Sequence, residues 1–357
     1  MLSVDDDNFD LDHFMLNYDP AEHHTLMGME LGAALPKPVP WPKGMEPVAE
    51  PLASPPADTD DLSKFEGYDA IVVTWTAAEA SALAALMSPG HTTADWYNYR
   101  HNVEKYVPMV TGPRAPFNDH AKDMAKYYHS LGLYFPCKVG KMKVLLFKSG
   151  LHLAYDGPQT PVYNLMAELT SVVKPKVFIT TGTGGGIGKE VALGDVIIAG
   201  TVKFDCKQQF AKEKWASAKY TTAKLPGGAM KSLVPALTSV NASRIEGARP
   251  EPKYFVAAND AIVTTDFFAY DDSTGHYGLQ GLGQCCDMGD AMVAKALHEF
   301  PEVRFYAIRN ASDPQIPNPT GDMKTAGKSA ASIYARFGGL TTAASVLACW
   351  AIIGAHQ

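Results

Sequence analysis

The sequence predicts an α/β fold with a largely parallel or mixed sheet. Three observations point there: strand-like and helix-like segments alternate along the chain, the composition is globular at 46% hydrophobic and 19% charged, and no repeat of fixed period is visible. The first strand is YDAIVVTW at residues 68–75, which is short, apolar and β-branched. AAEASALAAL at 77–86 follows, built of strong helix formers. KMKVLLFKSG (141–150) is the next strand, then a helix from Pro161 to Val173, then strands KVFITTGTGGGIG (176–188) and GDVIIAGTVKF (194–204). KYFVAANDAIVTTD (253–266) reads as strand, CDMGDAMVAKALHEF (286–300) as helix and VRFYAIRNASD (303–313) as strand, and an Ala-rich helix closes the chain.

The ends and one long connection differ from this body. Residues 1–66 hold 14 Asp and Glu against three Lys, a net of −11, so the other residues sum to +4 within the total of −7. Nine of the 25 prolines also lie there, which disfavours helix and sheet alike. The expected organisation is an acidic extension over 1–66, mobile or draped on the surface or packed on a neighbouring subunit through Trp41, Phe14 and Met15, followed by one domain over 67–357. Within that domain, residues 91–140 form an aromatic insertion carrying Arg100, Lys105, Arg114, Lys122 and Lys126. From Phe337 to Ala355 there is no charge, but Gly338, Gly339, Thr341, Thr342 and Ser345 point to a buried helix rather than a membrane anchor. The acidic N-terminus is unlike a leader sequence, so a cytoplasmic protein is expected. The five cysteines show no zinc-binding spacing, and neither a metal nor a disulfide scaffold is expected. The charge balance excludes a basic nucleic-acid footprint.

TGTGGGIG (181–188) ends a strand, and its glycines let a backbone approach a ligand closely. No GK[ST] follows, so it is not a P-loop, and the dinucleotide spacing is met only loosely. Taken alone, the run is a tight turn as readily as a binding loop.

The order of motifs narrows the reading. TGTGGG, then LGDVIIAG, NDAIV, DMGDAMVAKAL and AIRNASD, in that order, resembles the nucleoside phosphorylase and nucleosidase superfamily from about Tyr68 to the C-terminus, the insertion excepted. The resemblance implies a central twisted, mixed sheet that is partly barrel-like, no cofactor, and a homo-oligomer, dimer or higher. At the phosphate-binding turn of phosphorylases this chain reads VVTWTAAEASAL, without glycines or a basic residue. It is closer there to the hydrolytic methylthioadenosine/S-adenosylhomocysteine nucleosidase branch.

Site residues follow from that likeness. Glu79 falls on the carboxylate that activates the attacking water, although a Glu in the first turn of a helix is also an ordinary surface residue. Asp313 of the SD motif falls on the acid that protonates the departing purine, and a turn Asp before Pro314 is its plain alternative. Thr183 and the Gly184 backbone match the ribose and water side, Ile262 and Val263 the purine face, and Met288 the methionine under the sugar. Where the family has a ribose-binding Glu after that methionine, this chain has Gly289, with Asp290 one position later. The expected function is hydrolysis of a purine nucleoside or nucleotide to free base and sugar, with Arg100, Arg114 and the insertion lysines as possible partners of a 5′ phosphate or as solvated charges of an interface flap. The rivals are a phosphate-dependent phosphorylase and a nucleoside sensor without turnover. No nucleic acid or membrane partner is expected.

Overall fold

The computed structural model describes residues 35, 37–110, 130–153, 157–240, 248–269, 275–313 and 322–357. In chain order its strands are β1 (Pro47–Ala49), β2 (Ala70–Thr74), β3 (Tyr97–Tyr99), β4 (Gly132–Val139), β5 (Met142–Ser149), β6 (Val177–Gly186), β7 (Val196–Ile198), β8 (Thr201–Asp205), β9 (Lys219–Thr221), β10 (Tyr254–Phe255), β11 (Ala261–Thr265), β12 (Cys285–Asp287) and β13 (Arg304–Asp313). The helices are α1 (Ala77–Met87), α2 (Val103–Tyr106), α3 (Pro161–Val173), α4 (Ala229–Leu237), α5 (Asp290–Leu297) and α6 (Met323–Gly354).

The predicted mixed sheet is present. It runs β1-β4-β5-β2-β6-β12-β11-β8-β9, with β13 beside β6. β2 is parallel to β5 and β6, and β13 is parallel to β6, whereas β12 runs antiparallel to β6. These central strands are apolar on both faces because helices cover both. α3 and α5 pack with Trp75, Phe178 and Ile262 on one side, while α1, α4 and α6 pack with Val72, Ile179 and Ile308 on the other. The sheet curls because β7 pairs antiparallel with β13 while β8, two residues on, pairs parallel with β11. At that corner Ala199 N donates to Ala307 O and Gly200 N to Asp260 O, handing the chain from one side of the curl to the other. The path from β6 through β13, β7, β8, β11 and β12 back to β6 is the partly barrel-like arrangement.

Five local expectations change. The single strand expected over 194–204 is the pair β7 and β8, and that over 253–266 is β10 and β11. The helix expected from residue 286 begins at Asp290, because β12 occupies Cys285–Asp287. Part of the N-terminal segment is built into the body: β1 pairs antiparallel with β4, Trp41 packs edge-on against Trp350 at 4.7 Å, and Trp350 Nε1 donates to Met45 O at 2.7 Å. Trp41 therefore packs on its own chain, while Phe14 and Met15 lie outside the described residues. The insertion likewise contributes β3 and β4 to the sheet, and the Tyr99 and Tyr106 hydroxyls both donate to Glu168 of α3 at 2.8 Å.

The apolar C-terminal stretch is helical. Phe337–Gly354 is long and apolar enough to cross a membrane, yet 83% of it is buried inside the fold, as befits a core helix.

Candidate active site

The C-terminal ends of the parallel strands β2, β6 and β13 meet, which is where open α/β sheets place their ligands. Thr183, Gly184, Met288 and His152 keep partial exposure while Gly182, Gly185, Asp287 and Gly289 beside them are buried, so these ends face an opening.

Glu79 sits at the heart of it, 2% exposed. Thr76-x-x-Glu79 is a capping box: Thr76 Oγ1 accepts from Glu79 N at 3.3 Å and Glu79 Oε2 accepts from Thr76 N at 2.9 Å. The same Oε2 accepts from Thr74 Oγ1 and Trp75 N, each at 2.9 Å. Oε1 accepts from Thr183 N at 2.7 Å and Thr183 Oγ1 at 2.6 Å. A carboxylate has about four lone-pair directions, so this one is saturated. Burial alone would raise its pKa, but the Arg309 charge and the Thr183 and Thr76 hydrogen bonds outweigh that and hold it below the usual range. Gly182 is a glycine of necessity, since a Cβ there would collide with this carboxylate.

Arg309 comes from β13 and binds three carboxylates. Its Nε and Nη2 clamp Asp290 at 2.9 and 2.5 Å, Nη2 lies 3.0 Å from Asp287 Oδ2, and Nη1 lies 3.9 Å from Glu79 Oε1. Nη1 also donates to Thr183 O at 3.2 Å. Burial would lower the Arg309 pKa, yet Asp290 and Asp287 drive it up, so the guanidinium is permanently charged. Asp287 caps α5 by accepting from Gly289 N at 2.9 Å and Asp290 N at 2.7 Å, and it takes the Thr264 hydroxyl at 2.6 Å. Burial and the neighbouring Asp290 charge push its pKa up to about 7. Asp290 is thus brought to the site, but both its oxygens are held by Arg309 and it is fully buried.

Gly289 has a local reason. A Cβ there would stand 3.1 Å from Trp75 Cζ2, so the indole fills the space a side chain would need. Arg309 lies over that indole, 4.9 Å from the ring centre. Trp75 Nε1 is buried and has no hydrogen-bond partner among the described residues.

Asp313 ends β13, paired in register with Gly185, and Ser312 Oγ donates to its Oδ1 at 2.7 Å. Glu79 engages β6 at Thr183, and Asp313 adjoins Gly185. Two residues of strand separate these positions, about 6–7 Å. Met288 borders the opening, while Ile262 and Val263 are wholly buried, the first in the main core and the second against Ile187 and Phe267. Arg100 ion-pairs with Asp58 at 2.6 Å on the surface, whereas Arg114, Lys122 and Lys126 lie outside the described residues.

Groups at this site that were not singled out from the sequence include Trp75, Arg309, Asp287, His152 and Tyr334. Arg309 and Asp287 lie inside motifs used for the resemblance, and T-x-x-E was a readable signature for burying Glu79. His152 ends the β5 segment near Glu79 and Arg309, and burial lowers its pKa to about 4. Tyr334 reaches in from α6, its hydroxyl 2.7 Å from Thr76 Oγ1.

Residues 113–338 match the sequence signature of the Phosphorylase superfamily, a span that includes Thr183, Met288 and Asp313 but not Glu79. No curated protein matches the chain. Among solved structures, a 5′-methylthioadenosine/S-adenosylhomocysteine nucleosidase from Neisseria meningitidis in complex with methylthio-immucillin-A is similar at 16% identity and TM-score 0.47, covering 80% of this chain and 99% of that one. Futalosine hydrolase of Helicobacter pylori is similar at 11% identity and TM-score 0.47, covering 80% and 97%.

Proposed function

This chain belongs to the phosphorylase superfamily, and we propose that it hydrolyses the N-glycosidic bond of a purine nucleoside or nucleotide. The observation that carries the reading is the pair of carboxylates, Glu79 in the first turn of α1 and Asp313 at the end of β13, both set against the glycine-rich segment of β6. In the reaction, Asp313 gives a proton to the purine as the C1′–N9 bond breaks and the bond electrons leave with the base. Water then bonds C1′ and yields its proton to Glu79, while the sugar passes through an oxocarbenium-like state. Met288 would border the sugar and Thr183 and Gly184 the water side, whereas Ile262 and Val263 are wholly buried in the core. The Trp75 indole N–H, buried beside Gly289 without a partner among the described residues, would donate to a sugar oxygen, since Asp290 is engaged by Arg309.

Electrostatics favours water over phosphate as the nucleophile. Arg309 is already faced by Glu79, Asp287 and Asp290, so a phosphate dianion placed there would meet net negative charge. We expect the enzyme to be a cytoplasmic homo-oligomer that needs no cofactor. The test is incubation with a panel of purine nucleosides and nucleotides, with and without phosphate, followed by chromatography. Free base and free sugar without phosphate are expected, and Asp313→Asn should lower base release by roughly 10²- to 10⁴-fold at unchanged Tm. Release that requires phosphate and gives a sugar 1-phosphate would establish the phosphorylase instead, and tight binding with no base released would establish a sensor.

A further inference from the structure

Glu79 presents a chemical difficulty for water activation, because all its lone pairs are taken. Three of its donors, Trp75 N, Thr76 N and Thr183 N, are backbone, and Thr74 Oγ1 sits at the end of β2. Of the two hydroxyl donors, Thr74 is wholly buried whereas Thr183 borders the opening, so Thr183 Oγ1 can swing aside about its Cα–Cβ bond without moving a strand, and it is both donor and acceptor. For the turn to be cheap, another oxygen must receive it, since a buried hydroxyl without a partner costs about 1–3 kcal/mol.

That oxygen is present. Tyr334 is 3% exposed, its hydroxyl lies 2.7 Å from Thr76 Oγ1, and it also hydrogen-bonds with the Thr183 side chain. Its ring lies against Gly338, one helical turn on, where a Cβ would approach Cδ2 to 3.2 Å. Thr76 in turn caps α1 at Glu79 N. The hydroxyls of Thr76, Tyr334 and Thr183 therefore form a chain that ends on Glu79 Oε1, with Tyr334 delivered by α6.

We propose that Tyr334 is a positioning residue for water activation. When the Thr183 hydroxyl leaves Glu79, Tyr334 Oη accepts it while donating to Thr76 Oγ1, and one lone pair of Oε1 is opened to the attacking water. Every proton stays on its own oxygen in this exchange, and the water proton passes to Glu79 only during attack. The inference rests on the hydrolytic reading above.

The test is Tyr334→Phe in the full chain, with Tm, kcat, KM and the pH dependence of kcat/KM measured on a substrate that the wild type cleaves. Expected are a kcat lower by about 10- to 100-fold, a KM within about threefold, and an acidic limb moved to lower pH because Thr183 stays on the carboxylate. In a Thr183→Val background the lone pair is already open, so adding Tyr334→Phe should have little further effect. A wild-type kcat and pH profile in Tyr334→Phe, or a loss of the same size in the Thr183→Val background, overturns the proposal. If Tyr334→Phe does not fold, Thr183→Val alone decides: its acidic limb should rise relative to wild type, and an unmoved limb overturns the proposal. A wild type that releases no base from any substrate overturns the hydrolytic reading itself, and the inference falls with it.

Discussion

Glu79 and Asp287 are both buried carboxylates facing Arg309, yet their charge states are driven in opposite directions. Glu79 collects donors from β2, α1 and β6 and faces the Arg309 guanidinium, so its pKa is held below the usual carboxylate range. Asp287 also accepts several hydrogen bonds, but Asp290 stands beside it and takes the bidentate fork of Arg309. Burial raises both; at Glu79 the Arg309 charge and the donors outweigh it, whereas at Asp287 the like charge of Asp290 adds to it.

The largest effect on this comparison should come from removing the shared cation. Arg309→Met leaves three buried carboxylates without their partner, and a loss of about 3–5 kcal/mol in urea unfolding at pH 7.5 is expected. The loss should shrink at pH 5, where the orphaned carboxyls protonate. An unchanged midpoint would mean the cluster is not held by its ion pairs. Next in size, Glu79→Gln puts an amide N–H₂ against hydrogen-bond donors and should cost about 1–3 kcal/mol. The acid side of the stability curve should change with it. The depressed pKa of Glu79 contributes stability above its unfolded value of about 4.5 that is lost as pH falls toward the lower folded value, and the variant should lack that segment.

The smallest effect concerns Asp287. Its folded pKa of about 7 lies above the ordinary 3.8, so its ionisation opposes folding as pH rises across that interval. His152, lowered to about 4 from 6.5, has the opposite sign: folding is opposed as pH falls across its interval. The two slopes offset one another between roughly pH 4 and 6.5. Asp287→Asn should uncover the histidine, giving a Tm that falls as pH drops from about 6.5 to 4.5. A Tm that rises on acidification in that variant would contradict the assignment.

Much of this architecture was readable in the residues. β2, α1, β5, α3, β6 and β13 lie where β-branched runs and helix formers put them, and the glycine-rich end of β6 and the SD ending of β13 marked the site's location. Other elements were hidden by local signals that tertiary context overrode. β4 contains Pro136, which argues against a strand, yet it is tolerated at the end of the β1 ladder, where its carbonyl accepts from Glu50 N at 3.0 Å. The DMGDA segment looks helical throughout, but Asp287 ends a strand so that its carboxylate can cap the helix that begins at Asp290. β1 lay among prolines whose composition suggested an unanchored segment.

By itself, the sequence determined the alternation of strands and helices, the T-x-x-E cap that turns Glu79 inward, and the chemistry available at Thr183 and Asp313. These are matters of neighbouring residues, where a spacing of three or four fixes which donor meets which acceptor. Only the tertiary structure decided that Arg309 would join Glu79, Asp287 and Asp290, that Trp75 would fill the room over Gly289, and that Tyr334 would meet Thr76 and Thr183. Those contacts depend on strand register and on how α5 and α6 lie against the sheet. A one-residue slip of β13 would turn Arg309 to the opposite face.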